Sequence, residues 1–299
     1  MSTTPHTSAG ATAPRPARDP SRLDVMVSQI LRSPLTLAGL VIVAIILVLV
    51  ILAPVFATHN PDAIDLRARL AAPSLTHFFG TDEVGRDLYS RVIYGGRQSI
   101  AVGFFVVFVA GSIGALLGAF SGLAGGKVDT VIMRFMDVIL SIPSLVLIMA
   151  LAAALGPSLV NAALAIALVR IPSYVRLARG QTLLVREMPY LMAARIYRAS
   201  TWHQLRWHVL PNIMSPITVQ LTLDLGNTIL LASALSFIGL GAQQPTAEWG
   251  AMVATGRNYI LDQWWYSAFP GLAILVTATA FNLVGDGLRD FLDPKQKAR

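Results

Sequence analysis

Long runs of residues without a single charge are the feature of this sequence that most constrains its fold. The five longest lie between Arg32 and Asp62, Arg97 and Lys127, Asp137 and Arg170, Asp224 and Glu248, and Asp262 and Asp286. Each can hold the roughly 20 apolar residues that a membrane-spanning helix needs. Only 13% of the residues are charged, whereas soluble domains carry about 25%. An all-α membrane protein is therefore predicted.

The apolar runs predict six transmembrane helices. Their expected bounds are Leu35–Ala57, Ile100–Leu123, Val131–Leu155, Leu159–Ala178, Ile217–Leu240 and Phe269–Gly287. The first is too long and lies too far along the chain for a cleavable signal peptide, so we expect it to remain as an anchor. Before it, residues 1–34 are rich in Pro, Ala and Thr, which predicts a largely disordered tail.

Arginines between the fourth and fifth predicted helices indicate the orientation in the membrane. The stretch contains one acid and seven arginines, at positions 170, 176, 179, 186, 195, 198 and 206. Because positive residues collect in cytoplasmic loops, the loop 179–212 and, with six helices, both termini are predicted to be cytoplasmic. The expected organisation is a cytoplasmic tail 1–34, a first helix 35–57, a periplasmic segment 58–97, a five-helix core 98–294 and a cytoplasmic tail 295–299.

Aromatic residues cluster in the second external loop, residues 242–268. They are Trp249, Tyr259, Trp264, Trp265 and Tyr266. Such rings commonly form a belt at the level of the lipid headgroups. The alternative is that some of them form a gate or a docking surface for a substrate-delivery protein.

No enzyme active site emerges from the sequence. The absence of cysteine excludes disulfides, thiolate metal ligands and cysteine nucleophiles. The nearest match to a phosphate-binding loop, Gly125-Gly126-Lys127-Val128, lacks the hydroxyl that would hold magnesium. The basic residues behind the net charge of +7 flank apolar runs, so membrane lipid rather than nucleic acid is the expected contact. We predict no catalytic residue and no cofactor bound by this chain.

The histidines do not predict a metal site. His203 and His208 are five residues apart, a spacing that does not put two ligands on one helical face. Asp82, Glu83 and Asp87 resemble a cation cluster. They are better explained by a short helix that begins near Glu83 and is capped by Asp82 or the residue before it.

Asp224 is the one acid deep inside a predicted span. A charge at the centre of a bilayer costs about 2.5–3.5 kcal/mol on insertion scales. We therefore expect Asp224 to face the protein interior or a wet cavity. It would line the substrate pathway or, alternatively, form a structural hydrogen bond to a neighbouring helix.

Small residues repeat every four positions along the second predicted helix, at Ala110, Gly114, Gly118, Gly122 and Gly126. This spacing keeps them on one helical face, where another backbone can approach closely. Packing within this chain is the first expectation for this face, and a seam with a second membrane subunit is the alternative.

The cytoplasmic loop is predicted to contain two helices. Pro189 suits the first position of one helix, and Ser200 or Thr201 suits the cap of a second helix, Trp202 to Val209, which Pro211 would end. A short helix with protruding Tyr and Arg side chains fits a groove on a partner protein. The alternative is a helix that lies on lipid headgroups.

Several segments resemble a known family in the expected order. Met192-Ala193-Ala194 followed by His208-Val209-Leu210-Pro211-Asn212 resembles the EAA loop of binding-protein-dependent ABC importer permeases. Phe79 to Asp87 with Ser90-Arg91, Arg134 with Asp137 and Ile142-Pro143, and Ser236 to Gly241 resemble the dipeptide/oligopeptide/nickel branch of that family. Residues 243–266 are most similar to its D,D-dipeptide members.

The resemblance implies a type I ABC importer permease fold in a bacterial inner membrane. It implies a second permease subunit, forming a heterodimer, two ATP-binding subunits that hold ATP and magnesium, and a periplasmic or lipid-anchored substrate-binding protein. The loop would couple to the ATPase through Glu187, Tyr190, Met192, Ala193, Ala194, Arg198, Leu210 and Pro211, with Asp224 as a pathway candidate and Gly114, Gly118 and Gly122 in helix packing.

The sequence departs from the family pattern at three positions. The family usually has Glu where this chain has Met192 and Gly where it has Arg198, and it commonly has an acid near Ala232. Two other classes of function remain as alternatives. One is a stand-alone secondary transporter that couples to protons through Asp224, and the other is a receptor-like membrane protein without transport.

Overall fold

The computed structural model describes residues 33–292. The predictions for both tails therefore fall almost wholly on residues outside this range. Within it the chain forms helices and connecting segments, with no β-strand. The helices are α1 (Pro34–Ile51), α2 (Ala53–Phe56), α3 (Leu88–Ala124), α4 (Gly126–Leu140), α5 (Ser144–Leu155), α6 (Leu159–Arg186), α7 (Pro189–Ile196), α8 (Thr201–Phe237), α9 (Trp249–Gly256) and α10 (Trp265–Leu292).

Among the described residues, five helices can span a membrane by length and composition, and the predicted number of six is reached if one bent pair of helices counts as a span. Helices α1, α3, α6, α8 and α10 are each long and apolar enough to span a membrane. The bent pair consists of α4 and α5, which meet at an angle of 86°. The single helix predicted over Val131–Leu155 is wrong, because Pro143 disfavours helical geometry at Ile142 and separates the two parts.

The helix predicted to begin near Glu83 is also wrong. Helix α3 begins at Leu88, and the Asp87 side chain caps it by accepting from the Ser90 amide. Asp82 instead closes a tight turn, since its Oδ1 accepts from the amides of Val84 and Arg86 at 3.0 and 2.9 Å. Gly85 within this turn has a φ of +82°, which a residue with a side chain rarely adopts.

The glycine face of α3 packs against α6 inside this chain. A Cβ atom on Gly118 would lie 2.3 Å from the Val175 carbonyl oxygen, and one on Gly114 would lie 2.4 Å from the Tyr174 Cβ. Gly122 is similarly close to Thr182. The two backbones therefore approach closely along this face.

Gly126 does not belong to this face, because the helix ends at Gly125 and Gly126 opens α4. Both residues have a positive φ, and no atom lies within 4 Å of a Cβ built on Gly126. The four-residue spacing of small residues in the sequence therefore extends to Gly126, which lies beyond the end of α3.

The remaining spans pack around α3 and α6. Helix α8 contacts α3, α6 and α10, and α1 lies against α10. Gly39 brings α1 close to Leu283 of α10, with a distance of 2.8 Å from its ideal Cβ position to the Leu283 Cβ. Much of α1 remains exposed, including Val41, Ile45 and Val48. An apolar face of this kind is suited to lipid.

Candidate functional site

Helix α7 presents an exposed face at one end of the bundle. It starts with Pro189 at its first position, as the sequence predicts. Leu191 is fully buried in a cluster with Leu205 and Val209. Tyr190 and Met192 are 42% and 44% exposed. One buried leucine thus anchors a short helix whose other side chains are free to contact another molecule.

The residues on either side complete this surface. Glu187, Ala193 and Pro211 are exposed, whereas Ala194 and Leu210 are half-buried. The rings of Tyr190 and His208 lie 6.2 Å apart, which places α7 beside the start of α8. We define the coupling surface, named for the role that the family resemblance predicts, as the exposed and half-buried residues of the range 187–211.

Arg198 ends α7 in a conformation that favours glycine. Its φ is +53°. Its amide donates to the Arg195 carbonyl at 2.9 Å, and the Ala199 amide donates to the Ala194 carbonyl at 3.0 Å. This pair of bonds is the Schellman motif, whose left-handed residue is most often Gly. The family's preference for Gly at this position therefore has a local structural reason.

The second helix of the loop starts as predicted but does not stop as predicted. The Ser200 side chain accepts from the His203 amide and caps α8. The expected end at Pro211 is wrong, because α8 continues to Phe237. Residues Gln204–Val209 form a π-helical turn, in which the Leu210 amide donates to the Leu205 carbonyl. Pro211 follows directly and lies at the start of the regular α-helical part, where a missing N–H is tolerated.

Asp224 is buried in the middle of α8, with 4% of its surface exposed. Its Oδ1 lies 3.7 Å from Nη1 of Arg170 on α6. Its Oδ2 has no hydrogen-bond partner among the described residues, nor has the hydroxyl of Tyr174, one turn beyond Arg170. The expectation that Asp224 faces the protein interior is confirmed. Arg170 is a functional candidate that the sequence analysis missed, because its position at the end of a charge-free run suggested a flanking charge.

A cavity of about 600 Å³ lies beside this ion pair, between α5, α6 and α8. Its polar lining comes from Arg170, Ser173, Asn227 and Ser144. The rest of the wall is mainly leucine and other aliphatic side chains. Cavities of this size that combine apolar walls with a few polar groups are typical of small-molecule sites.

A buried charge network joins the segment before α3 to the loop after α8. Nε of Arg86 lies 2.5 Å from Asp82 Oδ2. Arg91, 1% exposed, donates to the carbonyl oxygens of Pro61 and Pro245, both at 3.0 Å. These contacts fix the two segments to each other and pair Asp82 with a cation inside the protein.

The aromatic belt predicted for residues 242–268 is wrong for three of its members. Trp249, Trp265 and Tyr266 are buried. Trp249 Nε1 donates to the Val92 carbonyl at 2.7 Å, and the Tyr266 hydroxyl donates to Glu83. These rings pack between the loop and α3 instead of facing headgroups. Trp264, 55% exposed, keeps the surface position that the belt or gate requires.

His59, His77 and Asp87 are brought together in a way the sequence analysis did not foresee. Their nearest potential ligand atoms all lie within 4.8 Å of one another. The two histidines are 18 positions apart, so no local spacing signals the group. Only the turn ahead of α3 and the course of the segment after α2 place them side by side.

Two families match this chain. The family described as "Binding-protein-dependent transport system inner membrane component" matches residues 114–298. The family described as "N-terminal TM domain of oligopeptide transport permease C" matches residues 21–73. The first match contains the coupling surface, the cavity and Asp224, and the second contains α1.

Individual relatives carry related names. The chain is 64% identical over 263 residues to the probable D,D-dipeptide transport system permease protein DdpC of Escherichia coli K12, covering 88% of each chain. It is 45% identical over 265 residues to the dipeptide transport system permease protein DppC of the same organism, covering 87% of this chain and 88% of the relative. The DppC of Alkalihalophilus pseudofirmus is 42% identical over 270 residues, covering 90% and 89%.

Proposed function

Since this chain belongs to the family of binding-protein-dependent transport system inner membrane components, it is a multi-pass permease subunit of the inner membrane, and we propose that it forms half of an import pathway for D,D-dipeptides. The observation that carries this proposal is the 64% identity to a D,D-dipeptide permease along 88% of both chains. Identity to the dipeptide permeases is lower, at 42–45% for the two relatives above.

The proposed assembly contains a second permease subunit, two ATP-binding subunits and a periplasmic or lipid-anchored binding protein. ATP and magnesium belong to the ATP-binding subunits. Both termini and the coupling surface face the cytoplasm, which the arginines in the last part of α6, in and after α7, and at the start of α8 support. The opposite end, with the buried charge network, then faces the periplasm and the binding protein.

The coupling surface receives the motion of the ATPase. Its exposed Tyr190 and Met192 reach the partner, and buried Leu191 transmits displacement to Leu205 and Val209 at the start of α8. Since α8 also carries Asp224, a rigid shift of this helix moves the candidate pathway residue. Met192 stands where the family usually has Glu, so this contact is apolar rather than ionic.

The pathway passes the cavity beside Arg170 and Asp224. A dipeptide at neutral pH carries one ammonium and one carboxylate group, which are complementary to this pair of opposite charges. The separation of 3.7 Å between Arg170 Nη1 and Asp224 Oδ1 exceeds the usual 2.7–2.9 Å of a charge-assisted hydrogen bond. The pair is therefore loose enough to exchange partners. Transport requires that the affinity of this site for the dipeptide differ between the inward-facing and outward-facing states of the transporter.

Uptake measurements in a reconstituted transporter test the proposal. The complete assembly is expected to import labelled D-alanyl-D-alanine in preference to L-alanyl-L-alanine. This uptake should require ATP and the binding protein, and a protonophore should not change its rate. Uptake that persists without ATP and stops with the protonophore would instead support a proton-coupled carrier. Equal uptake of both stereoisomers would refute the D,D-dipeptide assignment while leaving the permease role intact.

A further inference from the structure

We propose that His59, His77 and Asp87 form a binding site for a zinc-class divalent cation at the end of the bundle where α3 begins. The three residues come from two segments, the connection after α2 and the turn before α3. Nothing in the proposed transport mechanism uses them. They are the one group of three potential metal ligands among residues 33–292.

The spacing of the ligand atoms fits a small tetrahedral ion. His77 Nδ1 lies 2.9 Å and His59 Nδ1 lies 3.8 Å from Oδ1 of Asp87. Zinc binds imidazole nitrogen and carboxylate oxygen at about 2.0–2.2 Å, so ligand atoms around a tetrahedral ion are roughly 3.3 Å apart. The two observed distances lie on either side of this value, and all three ligand atoms lie within 4.8 Å of one another.

The carboxylate is already held in position by its other oxygen. Oδ2 of Asp87 accepts from the amide and the hydroxyl of Ser90, at 2.8 and 2.7 Å, and from the hydroxyl of Thr58 at 3.3 Å. The Asp87 side chain is 1% exposed. Outer contacts of this kind orient metal-binding carboxylates and raise affinity. Oδ1 of Asp87 is the oxygen that the two histidines approach.

The connection after α2 is fixed over the same point. The His59 amide donates to the Ser90 hydroxyl at 3.0 Å, and His59 Nδ1 lies 3.0 Å from the Thr58 hydroxyl. The centroids of the two imidazole rings are 4.8 Å apart. Both Nδ1 atoms thus converge on one oxygen, although His59 is too far from it to hydrogen-bond.

The donor set selects the class of ion and leaves room for a further ligand. Imidazole nitrogens favour zinc, copper and nickel, whereas magnesium and calcium prefer oxygen ligands alone. Three protein ligands leave the fourth tetrahedral position open. The His59 side chain is 42% exposed, so the site borders solvent.

Metal binding at this site would cross-link the segment after α2 to the start of α3. An ion bound only by the folded state raises its stability in proportion to the logarithm of the free ion concentration. Zinc should therefore raise the melting temperature of the protein, and this rise should depend on the two histidines.

Calorimetric titration of zinc into the purified full-length chain, with its partner permease and without a polyhistidine tag, tests the site. All measurements use a His6→Gln background, so that His59, His77, His203 and His208 are the remaining histidines. We expect one zinc ion per chain, an affinity at least tenfold weaker in His59→Gln and in His77→Gln, and loss of the thermal shift in both.

His208→Gln is the matched control, because the rings of His203 and His208 also lie close together, with centroids 5.7 Å apart. It should bind zinc like its parent. His59→Gln decides the outcome if His77→Gln fails to fold, since His59 is the more exposed residue and its replacement leaves the contact between His77 and Asp87 in place. Unchanged zinc affinity in His59→Gln, or equal weakening in His208→Gln, would overturn the proposal.

Discussion

Arg170 on α6 and Asp224 on α8 face each other between two membrane-spanning helices, with 3.7 Å between Nη1 and Oδ1. Both side chains lie within apolar spans, and the Asp224 carboxylate is close to the Tyr174 hydroxyl, although its Oδ2 makes no well-formed hydrogen bond among the described residues. An ion pair with an unsatisfied oxygen, beside a cavity, is a costly arrangement for a purely structural role. This relationship motivates the first prediction.

Asp224→Asn should reduce ATP-dependent dipeptide uptake at least tenfold while the amount of subunit in the membrane stays within about twofold. The amide cannot neutralise Arg170, so the guanidinium would hold the substrate carboxylate too tightly or lose its orientation. Labelled uptake and quantitative immunoblotting measure the two effects.

Asp286→Asn is the control for this change, because it makes the same substitution at an exposed position of α10. It should leave both quantities unaltered. If Asp224→Asn abolishes the folded subunit instead, and combining it with Arg170→Gln restores both folding and uptake, the pair is structural.

Ala194→Asp should abolish the stimulation of ATPase activity by the binding protein while leaving membrane insertion intact. Ala194 is half-buried at the coupling surface, and a carboxylate there would be desolvated when the partner docks. Ala194→Ser, which adds a polar atom at the same position without a charge, should stimulate normally. Normal stimulation of the Ala194→Asp assembly would contradict docking at α7.

Arg198→Gly should stabilise the fold by about 1 kcal/mol, because a side chain in the left-handed region costs about that much or more. The thermal midpoint of the purified subunit in detergent reports the change. Arg195→Gly provides the contrast, since that residue lies inside α7, where Gly costs about 1 kcal/mol relative to a helix-forming residue. Equal shifts in the two variants would argue against strain at Arg198.

Gly118→Ala should destabilise the subunit by about 1–3 kcal/mol, since the added methyl group must displace tightly packed backbone. Its Cβ would lie 2.3 Å from the Val175 carbonyl oxygen. No neighbour lies within 4 Å of a Cβ built on Gly180 of α6, so Gly180→Ala should be neutral or stabilising. The same thermal measurement tests both, and a neutral Gly118→Ala would show that the contact between α3 and α6 is loose.

The apolar spans and the start of α7 could be predicted because both depend on local composition. Charge-free runs mark the spans, and Pro189 marks the first position of α7. Pro211 was misleading, since a proline at the start of a regular helix and a proline that ends one look alike in sequence. The difference lies in the π-helical turn that precedes it.

Long-range contacts account for what the sequence could not reveal. Trp249 and Tyr266 have the composition of an interfacial belt, but their polar atoms find partners in Val92 and Glu83, more than 150 positions away. Arg170 likewise becomes a functional candidate only because it lies beside Asp224 on another helix. No periodicity within either segment carries this information.

The bend between α4 and α5 has an electrical consequence. Helix α5 contains 12 residues, or about 18 Å at 1.5 Å per residue, against a hydrocarbon thickness of about 30 Å. Where the polar cavity beside α5 admits water, the insulating layer is thinner than the surrounding bilayer. With water in this cavity, the membrane voltage would fall over a shorter distance there, and Arg170 and Asp224 would lie in a stronger local field than the same charges in an unbroken helical bundle.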